Sequence, residues 1–187
     1  MTQRAHRQAK LLTLLATVVL IVSVSARVHA QTNQSIYTSL DPKQCKKVRT
    51  IESGDYEGRC PGVAGYSLLV VEGDLRQNIT VITPQKKQHS LELWNVVSSA
   101  FSSLGPRAEW RVTKKEGKVA PYALIVRYNA SEDVEHPDKL TSYLAVAKIT
   151  SSSICVIEKI PPDAKANELA RVAADSAAEK PCLQREP

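Results

Sequence analysis

Between Cys45 and Arg76 the chain places two of its four cysteines and five of its seven glycines. The centre of that stretch reads Tyr56-Glu57-Gly58-Arg59-Cys60-Pro61-Gly62-Val63-Ala64-Gly65-Tyr66. A cysteine followed at once by Pro-Gly, then by a second glycine and a tyrosine, spells a turn pinned at one end through sulfur. The apolar run Leu68-Leu69-Val70-Val71 comes directly after it, so the turn launches a buried strand. A chain with this feature is built around a covalently held β unit. The feature is architectural and names no chemistry.

Whether the sulfurs pair depends on the compartment. Arg4, Arg7 and Lys10 give a basic start, Leu11 to Val24 is fourteen residues of almost wholly apolar sequence, and Val28-His29-Ala30 is a small-residue exit. That order is the pattern of a bacterial Sec-type signal peptide. The apolar run falls short of the roughly 20 residues that span a bilayer, so cleavage is expected near Ala30, with no stable membrane anchor left behind. The expected division is a signal peptide over 1–30, a flexible leader over 31–43 and one disulfide-stapled domain over 44–187. The product is a periplasmic or secreted protein.

Removal of the leader changes the electrostatics. Residues 1–30 carry four basic side chains and no acidic ones, so the formal charge falls from +6 to +2. Nucleic-acid binding needs a concentrated basic surface, and a near-neutral mature chain argues against it.

Cys45, Cys60, Cys155 and Cys182 all follow the signal, an even number in an oxidising compartment. Three connectivities exist. Cys45–Cys60 and Cys155–Cys182 are expected, because neighbours in sequence close at the lowest entropic cost. No pair has the short Cys-x2-4-Cys spacing of a zinc site.

Periodicity supplies the elements. Strands are expected over 45–51, 56–60, 66–72 and 75–83, with Gly73-Asp74 as a tight hairpin turn. Leu91, Trp94, Val97 and Phe101 recur at helical spacing, which predicts a helix over 90–104 capped by Ser90 and stopped by Gly105-Pro106. Its Trp and Phe are expected to face the core. Strands follow over 108–113, 120–129, 141–149 and 152–160. An alanine-rich helix over 164–178 starts behind Asp163, with Leu169, Ala170, Val172 and Ala173 as packing positions. Several strands are apolar on both faces, so both faces must be covered. The fold class is α+β: an antiparallel β-rich single domain, a sandwich or a strongly curled sheet, with two helices and two disulfides.

The chain contains no Gly-x-Ser-x-Gly elbow, no His-Glu-x-x-His helix and no phosphate-cradling glycine loop. No catalytic residue, cofactor or metal ligand is assigned. The acidic loop Glu132 to Asp138 lacks the ligand order and glycine of an EF-hand and reads as a solvated connection. Asn33, Asn78 and Asn129 each open an Asn-x-Ser/Thr pattern, relevant only in a glycosylating host. The recognition surface expected from the opening stretch comprises Arg59, Tyr66, Asp74 and Arg76, polar and aromatic groups on turns held by a disulfide. The competing reading has the two arginines pairing with Glu57, Glu72 or Asp74 at strand ends.

Tyr37-Thr38-Ser39-Leu40-Asp41, Cys45, Tyr56 to Gly62, Gly65-Tyr66 and Glu72-Gly73-Asp74-Leu75-Arg76 together resemble a set of small exported bacterial proteins of uncharacterised function. The resemblance covers residues 37–76 and implies an extracytoplasmic, disulfide-bearing domain. It carries no activity to any position. The function expected is therefore a non-enzymatic binding domain that engages an envelope or periplasmic protein. Glu57, Glu72 and Asp74 could meet in space but read better as strand-end charges. The alternatives are a hydrolase of envelope polymers working through carboxylates that the sequence does not locate, or an inhibitor of an envelope-degrading enzyme.

Overall fold

The computed structural model describes residues 33–50 and 56–185. The expected signal peptide and the turn at 52–55 lie outside them. The described chain opens with β1 (Asn33–Ser39), a single 3-10 turn (Pro42–Gln44), β2 (Lys46–Thr50), β3 (Tyr56–Pro61), β4 (Ser67–Gly73), β5 (Arg76–Ile82) and β6 (Gln88–Ser90). Then come α1 (Leu93–Val96), β7 (Phe101–Lys115), β8 (Lys118–Ser131), β9 (Thr141–Ile149), β10 (Ile154–Ile160) and α2 (Ala166–Asp175), with a further 3-10 turn at Ala177–Glu179.

Among the described residues these strands join in one open sheet in the order β10-β9-β8-β7-β5-β4-β3-β2. β1 is added on β7 and β6 on β5. The pairings are antiparallel except that of β5 with β7, a single parallel bridge between Arg76 and Ser102.

Of the strands that read as apolar on both faces, β8 is covered on both, whereas β4 buries Leu68 and Val70 and leaves Leu69 and Val71 partly exposed. On one side of β8, Leu124, Val126, Tyr128 and Ala130 share a core with Trp110 and Val112 of β7, Leu68 and Val70 of β4, and Ile79 and Val81 of β5. On the other side, Ala123 and Ile125 join Leu144 and Val146 of β9 against the alanines of α2. Each fully buried Leu, Val or Ile contributes about 1.5–3 kcal/mol relative to exposure, so this two-sided burial is what holds the middle of the sheet. Trp110 is wholly buried and spends its indole N–H on Thr38 Oγ1 at 2.9 Å.

Two disulfides, Cys45–Cys60 and Cys155–Cys182, form as sequence proximity predicted. The first ties the start of β2 to β3. The second ties the segment after α2 to β10, where Leu183 N–H also donates to Val156 O at 2.8 Å.

Four expectations are corrected. Residues 33–39 are not a loose leader: they form β1, in register with 107–113 of β7. The polar composition hid an alternation in which Ile36 and Thr38 face the main core while Ser35 and Tyr37 meet Arg111 and Glu109 on the other side.

The helix expected over 90–104 shrinks to α1, and Phe101 to Leu104 enter β7 opposite Ser131 to Tyr128. Two adjacent valines and two serine pairs are indifferent helix formers, and the ladder with β8 outcompetes them. Gly105-Pro106 then lies within β7 at a register shift rather than at a helix end. Gly105 is required there, since a Cβ would sit 2.7 Å from Arg127 Cβ.

In α2 the buried stripe is Ala166, Ala170, Ala173 and Ala174, while Leu169 and Val172 are 46% and 65% exposed. Small side chains let the helix lie close on the sheet, and the larger ones turn outward. Finally, the β4–β5 turn is centred on Asp74-Leu75, one residue later than expected, with Gly73 paired to Arg76.

Candidate recognition site

The four residues expected to form one surface do not all meet. Tyr66 precedes β4 and Asp74 follows it, which puts them roughly 25 Å apart by strand rise. Tyr66 is half-buried, its ring tilted against Trp110 at 6.0 Å between centroids. It packs against the main core, and Gly62 approaches its backbone so closely that a Cβ would lie 2.5 Å from Tyr66 O. Arg59 is exposed in the middle of β3, with Lys46 of β2 opposite it. Asp74 and Arg76 stay together at the far tip of the β4–β5 hairpin.

That tip borders a broad concavity. A groove of about 1020 Å³ runs between the hairpin tip and the segment through α1, lined by Asp74, Arg76, Trp94, Asn95, Ser98 and Arg185. A smaller depression of about 210 Å³ shares Asn95, Val96 and Arg185 and extends to Leu183. Arg76 is held from three sides. It pairs with the Asp74 carboxylate, donates Nε–H to Ser99 O at 2.8 Å, and lies 5.2 Å from the Phe101 ring centroid. Trp94 lines the groove and Phe101 is 49% exposed beside Arg76, so neither is the core anchor expected; Leu91, Leu93 and Val97 take that role.

The tip itself is strained. Asp74 and Leu75 both adopt left-handed backbone, at φ 51° and 56°. A two-residue hairpin turn of this kind favours Asn-Gly, and a leucine in it costs about 1–2 kcal/mol. Leu75 is nonetheless 64% exposed. Left-handed backbone also occurs at Ala64, Lys86, Glu92 and Glu116, but only the turn at 74–75 uses it to present a large apolar side chain to solvent.

The groove's other wall is set by a buried polar residue that the sequence reading treated only as a glycosylation pattern. Asn78 of β5, 4% exposed, donates to Ser90 Oγ at 2.8 Å and accepts from Leu93 N–H at 3.0 Å. It therefore caps α1 from across the sheet, in place of Ser90. Behind the groove, Ser98 donates to Glu132 Oε1 at 2.7 Å, Tyr143 donates to Glu132 Oε2 at 2.9 Å, and Lys159 donates to Val97 O at 2.9 Å. Burial pushes the Glu132 carboxyl up, but these hydroxyl donors outweigh it and hold the group below its usual range.

A second polar cluster, absent from the sequence reading, fastens α2 to the sheet. Arg171 donates to Glu109 Oε1 at 2.7 Å and to Tyr37 OH at 3.0 Å. Arg111 grips Asp175 through Nε at 2.9 Å and Nη2 at 2.8 Å, and reaches Ser35 Oγ at 2.7 Å. Tyr122 donates to Asp175 Oδ1 at 2.6 Å. Burial, then donation to that carboxylate, pushes the Tyr122 hydroxyl up to about 12. Each charge meets an opposite charge, so the cluster is a clamp. Its signal was present: Glu109 and Arg111 flank a core tryptophan, and Arg171 and Asp175 stand one helical turn apart on an alanine-rich helix.

Glu57 and Glu72 do not meet as a carboxylate pair. Glu57 pairs in register with Val71, and Glu72 with Tyr56, so the two glutamates point to opposite faces. Asp133 of the acidic loop accepts the backbone N–H groups of Glu135 and His136. Among the described residues no group of three or more His, Cys, Asp or Glu side chains gathers where a metal ion would be held. Among them, too, no helix is long and apolar enough to cross a membrane. No family model, no curated protein and no solved structure matches the chain.

Proposed function

We propose that this chain is an exported, non-enzymatic binding domain that engages a protein of the bacterial envelope through the groove beside the β4–β5 tip. The observation that carries the reading is Leu75, held in left-handed backbone and yet exposed, between Asp74 and Arg76, which line the groove. Trp94 and Phe101 add aromatic surface, and the fixed Arg76 adds a preoriented cation, the residue types that dominate recognition hot spots. Export is supported by the basic-then-apolar order of residues 1–30 and by two disulfides, which persist in oxidising compartments. We read the open sheet as a sandwich, with β1 and β7–β10 facing β2–β6. The support is a shared core between Leu68, Ile79, Trp110 and Leu124, and a junction of one residue pair at Arg76–Ser102.

A photo-crosslinking amino acid at position 75, compared with one at exposed position 169, tests the reading in envelope extract. A discrete adduct at 75 and none at 169 is expected; equal labelling, or no adduct at 75, overturns it. The double variant Asp74→Asn, Leu75→Gly separates function from stability. It is expected to gain about 1 kcal/mol in urea denaturation as the turn relaxes, while the partner that forms the adduct is no longer retained.

A further inference from the structure

The edge of the sheet farthest from β10 carries a charge pattern that the groove does not explain. Lys43, Lys46, Lys47 and Arg59 are all exposed around β2 and β3. Lys46 stands directly opposite Arg59, and Lys47 opposite Gly58. Residues directly opposite share a face, so Lys46 and Arg59 lie on one face of the edge and Lys47 on the other. Among the described residues none of the four cations is paired with a carboxylate. Asp41, next to Lys43, spends an oxygen on the Lys43 backbone N–H.

Edge lysines often serve only to repel other sheets. That accounts for Lys46 and Lys47 but not for Arg59, which sits on an inner strand. Two cations directly opposite each other destabilise the strand pair, so this arrangement works against the hairpin unless something supplies negative charge. The disulfide Cys45–Cys60 joins the residues adjacent to that pair and holds the strands together despite the repulsion. Among the described residues β2 pairs with β3 alone, which leaves the backbone groups of its outer edge without a strand partner.

We infer that β2 is a docking edge for an acidic extended polypeptide segment, which adds to the sheet as a further strand. Main-chain hydrogen bonds at the start of β2, up to the register shift between Lys47 and Arg49, supply the common affinity. Acids at successive positions of the incoming strand meet Lys47 on one face and Lys46 with Arg59 on the other. A second copy of this edge is refused by the same charges, so the edge selects its partner by sign. The inference uses a different edge from the groove and stands independently of it.

The probe is the synthetic peptide Thr-Val-Glu-Glu-Val-Thr, with a Lys-for-Glu counterpart and two forms N-methylated at alternate backbone nitrogens. The acidic peptide is expected to bind saturably by fluorescence anisotropy, to slow amide exchange at Lys46 to Val48, and to weaken with added salt. The Lys peptide is expected not to bind, and at least one N-methylated form is expected to lose binding. In the protein, the double variant Lys46→Glu, Arg59→Glu keeps a like-charge pair and so preserves the local balance of the hairpin. It is expected to lose the acidic peptide by tenfold or more and to gain the Lys peptide. Equal binding of both N-methylated forms would reduce the edge to plain charge attraction and overturn strand addition. Uptake onto vesicles of phosphatidylethanolamine and phosphatidylglycerol without any peptide binding would overturn it in favour of a lipid surface.

Discussion

At position 78 a polar residue is buried, and both halves of its amide are used: one holds Ser90, the other the first N–H of α1. Replacement by alanine leaves a buried N–H without an acceptor, which costs about 1–3 kcal/mol. Asn78→Ala is therefore expected to lower the urea midpoint and to loosen the groove wall, read as faster amide exchange at Leu93 to Val97. A neutral midpoint would deny the cap. This residue was legible in sequence only as the head of Asn78-Ile79-Thr80, because its partners stand 12 and 15 positions away. Leu75 was similarly hidden. A turn at Gly73-Asp74 satisfies the usual residue preferences, and only the register of β4 on β5 moves the strain onto Asp74 and Leu75.

Elements were legible where one local rule was enough and misread where two rules competed. The hairpins and the long central strands carry unmixed alternation, and they form. Residues 90–104 satisfy a helical period, yet their last residues satisfy a strand partner better, and the neighbour across the ladder decides. α2 formed, but turned: its alanines, not Leu169 or Val172, meet the sheet, and its charged side chains fix the rotation. Burial pushes the Glu109 and Asp175 carboxyls up. Hydrogen bonds reverse this, from Arg171 and Ser35 on Glu109 and from Tyr122 and Arg111 on Asp175, so both lie below their ordinary values of 4.5 and 3.8. A depressed carboxyl contributes stability that is whole above its unfolded value and is lost as pH falls through the native one. Stability is thus expected to be level from neutral pH to about pH 5 and to decline below it. Glu109→Gln with Asp175→Asn is expected to flatten that decline while lowering the plateau, as measured by urea midpoints across pH. An unchanged slope would remove these two groups from the acid response.

For the whole molecule, the two disulfides brace opposite ends of the sheet. Cys155–Cys182 closes a separation of 27 residues around α2, a span for which loss of the bond costs about 3–4 kcal/mol. Cys155→Ser with Cys182→Ser is expected to lower stability by that amount. Its helical circular dichroism should persist, because the clamp to Glu109 and Arg111 still holds α2. A change under about 1 kcal/mol would show that the tail is fixed by Leu183 packing instead.

What the amino-acid order determined by itself was local: sulfur pairs near in the chain, strands with a clean period of two, and the punctuation of turns. Each rests on the few residues on either side and needs no knowledge of what lies opposite. The tertiary structure alone decided that 33–39 is a strand, that 101–104 abandons a helix, and that Tyr66 and Asp74 stand at opposite ends of β4. Those outcomes depend on which backbone groups and charges come to lie opposite one another, and that is settled only when distant segments pack.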